Sequence, residues 1–346
     1  MTTALVVGGA GFVGSNLVRR LLSHDSARVD IVDNFLSSEP ENVPRDARVN
    51  LVRGSIADDS VLAAIDDEYD VVFHLATFHG NQSSIADPIA DHDNNLITTL
   101  KLFDRLKDFE RVEKVVYAAS GCTLAPHEVY DDATPVSEEG AVPLDLDSPY
   151  QISKVVGEFY AVYYHRQHGL PTVRARFQNV YGPGEVLGAG RWRGTPATVW
   201  RNVTPTFVYR AVKGLPLQLD DGGRASRDFI YVDDITSGLL ACAERGTPGD
   251  VYNLASGAET TIRELAEKVI ALSDSSSALD LGERRPWDHS VRRLGSNEKA
   301  RHELGFEPST SLDDGLRTQI AWTRAELPQI ERCIEQHSAE LAAVAQ

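Results

Sequence analysis

Gly8-Gly9-Ala10-Gly11-Phe12-Val13-Gly14 stands between the apolar run Ala4-Leu5-Val6-Val7 and a helical pattern, Ser15-Asn16-Leu17-Val18-Arg19-Arg20-Leu21. Glycines at GxxGxxG spacing let a backbone approach a pyrophosphate, and a helix N-terminus adds free N–H groups and the positive end of its dipole. Such a triplet alone is more often a simple tight turn. Here it follows a strand pattern, opens a helix pattern, and precedes a second strand-like run that ends at Asp33, near the ~20-residue offset of a ribose-binding carboxylate. The reading is therefore a dinucleotide loop with Gly8, Gly11, Phe12, Val13 and Gly14 around the phosphates. A carboxylate at position 33 accepts both ribose hydroxyls and repels a 2′-phosphate, and no arginine directly follows it, so NAD is expected rather than NADP. Ser55 and Ile56, which end the third strand pattern, are expected beside the adenine; Asp58 or Asp59 is expected to cap a helix.

Outward from this loop, short β-branched runs (4–7, 29–32, 50–52, 71–73 and 114–117) alternate with helical patterns. Continuous apolar strands separated by helices predict an α/β fold with a doubly wound parallel sheet covered on both faces, a Rossmann arrangement. Leu96, Leu100, Phe103 and Leu106 fall close to helical spacing, as do Val155, Phe159 and Val162. Residues 181–205 hold Gly, Pro and Arg without a steady period and read as a long loop or small lobe. Later come a strand pattern at 228–232, a capped helix near 261–272 and a polar helix after Arg324. The expected division is 1–180 for NAD and the catalytic groups, and 181–346 mainly for a smaller C-terminal substrate-binding lobe, with some segments returning to the first.

Composition narrows the function. Hydrophobic residues are 42% and charged residues 25% of the 346, with 34 Lys+Arg against 51 Asp+Glu and a net charge of −17. That charge repels nucleic-acid backbones and anionic lipid, and no apolar run is long enough for a membrane span. The N-terminal Met1-Thr2-Thr3 leads directly into a strand pattern, from which a cytoplasmic location is expected. Cys122, Cys242 and Cys333 are odd in number and lack CxxC spacing, and neither His74 nor His79 has an acidic or sulfur ligand at suitable spacing; no disulfide framework and no metal site is expected.

Ser148-Pro149-Tyr150-Gln151-Ile152-Ser153-Lys154 puts a phenol and an amine four residues apart at a helix start, on one face. A phenol of ordinary pKa near ~10 is a poor base at neutral pH, but an adjacent ammonium and a positive nicotinamide stabilise the phenolate. Tyr150 is then able to take a proton from a sugar hydroxyl. Ser120, ending the fifth strand pattern, would hydrogen-bond the same hydroxyl, since catalytic groups sit at the carboxyl ends of parallel strands.

Taken together, Gly8/Gly11/Gly14, Asp33-Asn34, His74-Leu75-Ala76, Ser120, Tyr150/Lys154, Arg176-Phe177-Gln178-Asn179-Val180-Tyr181-Gly182-Pro183 and Arg227-Asp228-Phe229-Ile230-Tyr231-Val232-Asp233-Asp234 resemble the extended short-chain dehydrogenase/reductase family, specifically its nucleotide-sugar epimerases and dehydratases. The resemblance implies tightly held NAD, with Asn34, Leu75 and Ala76 joining Tyr150 and Lys154 around it, and a nucleotide-diphosphate sugar in the C-terminal lobe. It further implies a homodimer built by pairing two helices from each subunit. By match of motif, Asn179 would contact the diphosphate, and Arg227 and Arg285 would neutralise it. Thr77 and His79 follow the fourth strand, where the family lines its sugar pocket.

The same resemblance sorts the chemistry. Sugar 4,6-dehydratases resemble one another in an Asp-Glu after the strand-end Ser or Thr, and uronate decarboxylases in a Glu two places on; here stand Gly121 and Cys122. Absence of that acid favours 4-epimerisation through a 4-keto sugar. Cys122 resembles the acid/base of 3,5-epimerases, but its lysine partner is missing from 201–204, and a packing place under the sugar is the expectation. Arg191 and Arg193, flanking Trp192, suggest a guanidinium fork for a C6 carboxylate. The expected function is thus an NAD-dependent 4-epimerase of UDP-glucuronate and UDP-galacturonate. Alternatives are a UDP-glucose 4-epimerase, a related dehydratase, decarboxylase or 3,5-epimerase, and a non-catalytic NAD-binding regulator.

Overall fold

A computed structural model describes residues 3–23, 27–121, 134–140, 142, 144–285, 288 and 291–344. In chain order the first half runs β1 (Thr3–Val7), α1 (Phe12–Leu22), β2 (Arg28–Asp33), β3 (Val49–Arg53), α2 (Asp59–Ala63), β4 (Val71–His74), α3 (Asn81–Ala86), α4 (Pro88–Asp91), α5 (Thr98–Leu106), β5 (Lys114–Ser120), α6 (Pro149–His168) and β6 (Thr172–Phe177). The second half runs β7 (Asn179–Tyr181), α7 (Val203–Val212), β8 (Leu217–Asp220), β9 (Ser226–Tyr231), α8 (Val232–Arg245), β10 (Val251–Leu254), β11 (Glu259–Thr261), α9 (Ile262–Leu272), β12 (Leu279–Gly282), β13 (Arg292–Arg293), α10 (Glu298–Leu304), α11 (Leu312–Ala325), α12 (Leu327–Glu335) and α13 (Ser338–Val344).

The main sheet is parallel throughout, ordered β10-β6-β5-β4-β1-β2-β3. Strand side chains alternate between faces, so β1 divides its apolar run between two cores. Ala4 and Val6 pack with Leu17, Val18, Ile235 and Leu239 of α1 and α8, whereas Leu5 and Val7 pack with Leu102, Phe103, Ala161 and Tyr164 of α5 and α6. Both faces being covered explains why the strands read as continuous apolar runs. Order reverses between β1 and β4, which opens a crevice at their carboxyl ends.

A second core gathers Tyr181, Phe207, Val208, Leu219, Phe229, Leu265 and Leu316 around β9, to which β7, β11 and β13 pair, and around the β8–β12 pair. From β9 the chain returns through α8 to β10, which pairs with β6 in the main sheet. Thr261 caps α9 in a reciprocal capping box with Glu264.

Some elements differ from their sequence reading. The strand read at 228–232 starts at Ser226 and stops at Tyr231, because Val232 opens α8. The helix read from Asn95 is preceded by a wide helical turn, His92–Ile97, and the single C-terminal helix is α12 and α13 packed after α11. Phe159 does not face the core but is 60% exposed, alongside Ile152 and Tyr163.

Candidate active site

The carboxyl ends of β1, β4 and β5 and the second core enclose a cavity of about 680 Å³, inside the ~300–1,000 Å³ range of small-molecule sites. Gly8, Gly11, Phe12, Val13, Gly14, Asp33, Asn34, Ser55, Ile56, Leu75 and Ala76 all line it. Gly8 has φ +87°, and a Cβ there would lie 2.5 Å from the Ala76 nitrogen; a Cβ on Gly14 would lie 2.2 Å from the Gly8 carbonyl oxygen. Gly11 precedes α1 in extended conformation and offers no side-chain cap, so no capping side chain competes with a ligand for the first-turn amides. Asp33 accepts from Ala10 N at 2.9 Å, Phe35 N at 2.8 Å and Ser38 Oγ at 3.1 Å. Burial raises its carboxyl above the usual value, and these hydrogen bonds oppose the rise. Backbone glycines, an open helix end and a fixed carboxylate fit the diphosphate and adenosine ribose of NAD.

Ser120, Tyr150 and Lys154 converge on the same cavity. Ser148 caps α6 by accepting from Gln151 N, and Pro149 occupies its first position, which fixes where Tyr150 leaves the helix. Tyr150 N donates to Ser84 Oγ on α3 at 3.1 Å. Lys154 is 3% exposed, donates to Ala118 O at 2.9 Å, and holds its ammonium 6.0 Å from the Tyr150 ring centre. His79 meets the Tyr150 ring edge to face, with centres 6.0 Å apart. Burial, with the cations Arg201, Arg193 and Lys154, lowers the His79 pKa to about 4, so its imidazole is neutral at pH 7.

The opposite wall carries Asn179, Arg227 and Arg285. Arg227 faces Asp288 at 3.6 Å and Arg285 faces Asp220 at 2.5 Å, so each guanidinium of this end is braced by a carboxylate. Thr77 lines the cavity while donating to Asn95 Oδ1 at 3.0 Å. Cys122 lies outside the described residues. Gly121 is tightly constrained: a Cβ would stand 2.1 Å from Gln178 Nε2, so no larger side chain fits there without moving Gln178.

The expected guanidinium fork is corrected. Arg191 is exposed and is not part of the cavity wall, because its backbone N–H is drawn to Leu36 O, 3.0 Å away. Arg193 is buried and is not part of the wall either. The cation of this loop that does line the cavity is Arg201, which donates to Ser37 O and Ala189 O.

Sequence reasoning also missed Glu185 and Asn202. His79 Nε2 and Asn202 Oδ1 are 3.2 Å apart, and Asn202 Nδ2 donates to Glu185 Oε1. Burial lifts the Glu185 carboxyl to about 7, opposed by the Asn202 hydrogen bond and Arg201. Pro205 was the available signal: a proline in a first helical turn puts Asn202 at the N-terminus of α7.

Residues 4–255 match the model of the NAD dependent epimerase/dehydratase family. The Bordetella bronchiseptica enzyme WbmF, in a crystal structure with NAD+ and UDP, is 57% identical with a TM-score of 0.88, over 99% of this chain and 98% of that one. The UDP-glucuronic acid 4-epimerase from Bacillus cereus, in complex with UDP-glucuronic acid and NAD, is 25% identical with a TM-score of 0.82, over 94% of this chain and 99% of that one. UDP-glucuronic acid decarboxylase 3 of Arabidopsis thaliana is 31% identical over 320 residues, 90% of this chain and 86% of that protein.

Proposed function

Since the chain belongs to the NAD-dependent epimerase/dehydratase family, an enzyme family of nucleotide-sugar chemistry, we propose that it is a UDP-sugar 4-epimerase acting on the UDP-glucuronate/UDP-galacturonate pair. Bound NAD would supply a hydride acceptor and donor beside C4, approached by one face of the sugar on oxidation and by the opposite face on reduction. Tyr150 takes the C4 hydroxyl proton while Ser120 orients that hydroxyl, and Lys154 stabilises the phenolate. After the 4-keto sugar turns over, Tyr150 returns the proton to the opposite configuration. One base serves as base and then acid, so no second proton donor is needed.

The observation that carries this reading is Gly121. The acid pair that dehydratases carry directly after the strand-end serine would begin at this glycine, where Gln178 Nε2 stands 2.1 Å from a Cβ, and the position two places on, where decarboxylases carry Glu, is Cys122, which has no carboxyl group. Glu185, a buried carboxyl of the cavity wall, is joined to Tyr150 through Asn202 and His79, by two hydrogen bonds and a ring contact. Asn179, Arg227 and Arg285 are assigned to the diphosphate, Thr77 and His79 to the sugar. The outward Ile152, Phe159 and Tyr163 of α6 offer an apolar face for a homodimer, and the cytoplasm is the proposed location.

Incubating purified protein with each of UDP-glucuronate, UDP-galacturonate, UDP-glucose and UDP-galactose tests the proposal by proton NMR and mass spectrometry. Interconversion of the two acids without mass change is expected. A product lighter by water or carbon dioxide, or no turnover of either pair, overturns it.

A further inference from the structure

An asparagine at a helix N-cap ordinarily turns its side-chain oxygen to the first-turn amides, because those N–H groups have no partner within the helix. Asn202 holds that position before α7, with extended backbone at φ −134° and ψ 150°, yet it makes no side-chain cap. Its amide is spent elsewhere: Nδ2 donates to Glu185 Oε1, and Oδ1 lies 3.2 Å from His79 Nε2. Glu185 is 3% exposed, and its second oxygen, Oε2, has no hydrogen-bond partner among the described residues. Burying a carboxyl with one oxygen unpaired costs stability, as does forgoing a cap. Both costs fall on one chain of three residues that ends at the Tyr150 ring.

Hydrogen-bond polarity runs along this chain in one direction. A carboxylate only accepts, so Glu185 fixes the Asn202 amide with its nitrogen toward Glu185 and its oxygen toward His79. An amide oxygen also only accepts, so His79 Nε2 carries a proton. The imidazole, with its pKa lowered to about 4, is neutral at pH 7, and a neutral ring holds one N–H, which leaves Nδ1 as a bare lone pair. Nδ1 has no hydrogen-bond partner among the described residues, and unlike Glu185 Oε2 it is not sealed from solvent. Its ring lines the cavity and meets the Tyr150 ring with centres 6.0 Å apart. The chain is anchored at the Glu185 end. Gly184 has φ +97°, a Cβ there would lie 3.0 Å from Asn16 Nδ2 of α1, and that same nitrogen donates to Pro183 O at 3.0 Å.

We propose that Glu185 and Asn202 hold His79 in its Nε2–H tautomer, so that Nδ1 accepts a hydrogen bond from a hydroxyl or N–H donor on C3 of the sugar. The C4 hydroxyl already has Tyr150 and Ser120, and the C6 carboxylate of a uronate has no proton to donate at neutral pH. Of the groups flanking C4, the one on C3 is then able to donate. The choice of C3 rests on the proposed uronate substrate and 4-epimerase reaction; the tautomer does not. His79 becomes the residue that selects a donor-bearing sugar, and Glu185 and Asn202 become positioning residues that act through it.

Nitrogen NMR of the NAD-loaded protein labelled with 15N-histidine reads the tautomer at pH 8, where Glu185 is ionised, the His79 signals being those missing from H79F. Wild type is expected to show a bare Nδ1 and a protonated Nε2, and E185L a mixture of tautomers. E185Q, whose amide oxygen still accepts from Asn202, is expected to return to the wild-type pattern. A proton on Nδ1 in wild type, or an unchanged pattern in E185L, overturns the proposal, and the wild-type outcome stands whether or not E185L folds. Calorimetric titration with UDP-glucuronate, its 3-deoxy analogue and UDP then tests the donor. Wild type is expected to bind the parent about tenfold more tightly than the analogue. H79F, which keeps a ring against Tyr150, is expected to bind the two within about twofold of each other and UDP as wild type does. Equal binding of both sugars by wild type, or weakening of UDP in H79F as large as that of the sugar, overturns the acceptor role. The expected tautomer and discrimination in a protein that leaves C4 unchanged overturn the epimerase reading and leave this one standing; interconversion of the acids without preference for the 3-hydroxyl does the reverse.

Discussion

Replacing Lys154 by methionine keeps most of the side-chain volume and deletes one charge 6.0 Å from the Tyr150 ring centre. Coulomb attraction at that separation, with an effective dielectric of about 20, is about 3 kcal/mol, or about two pH units of phenolate stabilisation. The ammonium favours the charged form of the phenol, so its removal moves ionisation upward. The limb of the rate–pH profile that reports the phenolate should therefore shift about two units to the alkaline side. At neutral pH the hydride-transfer rate should fall about 100-fold, and the gap should close as pH rises. Lost hydrogen bonding to Ala118 O, 2.9 Å from Nζ, adds a stability cost of about 1 kcal/mol that melting temperature reports separately. Single-turnover appearance of reduced-nicotinamide absorbance, followed from neutral to strongly alkaline pH, reads the effect directly. A variant that is slow by the same factor at every pH refutes the electrostatic role, and one that is fast at neutral pH refutes the base assignment.

Two further perturbations probe different parts of the cavity. Glu185 is raised from 4.5 to about 7 by burial, so the folded protein holds its proton where the unfolded chain has released it; the stability this contributes is present below about 4.5 and lost as pH rises through about 7. Glu185→Gln should flatten that dependence, with wild type losing about 3 kcal/mol relative to the variant between those limits, and parallel melting curves for the two proteins across pH would contradict it. Gly14→Ala places a methyl 2.2 Å from the Gly8 carbonyl oxygen and 2.8 Å from the Gly9 Cα, both backbone atoms that cannot step aside. It should cost at least about 2 kcal/mol and yield protein that purifies without NAD; retention of a full complement of cofactor, measured by absorbance after denaturation, would show that the turn is looser than drawn.

The residues legible in the sequence are those whose role is set by neighbours in the chain. Gly8, Gly11 and Gly14 announce one turn, Asp33 ends the next strand, and Tyr150 and Lys154 are one helical turn apart, so spacing alone carries them to the cavity. The arginine loop obeys no such rule: its course is set by Gln336 and His337, 148 and 149 residues from Gly188, and by Ser37, 164 residues from Arg201. Nothing local distinguishes Arg191, turned to solvent, from Arg193, buried without a partner, or from Arg201 on the cavity wall. Helix α6 shows why even periodicity misleads at such a site. Its inner face is taken by Lys154 under the sheet, by Glu158 bridging to Arg176 at 2.8 Å, and by Gly157, where a Cβ would meet the Tyr117 hydroxyl at 2.1 Å. With polar and small groups committed inward for charge and close approach, Ile152 and Phe159 are left outside, and an apolar stripe that usually marks the core marks the surface instead.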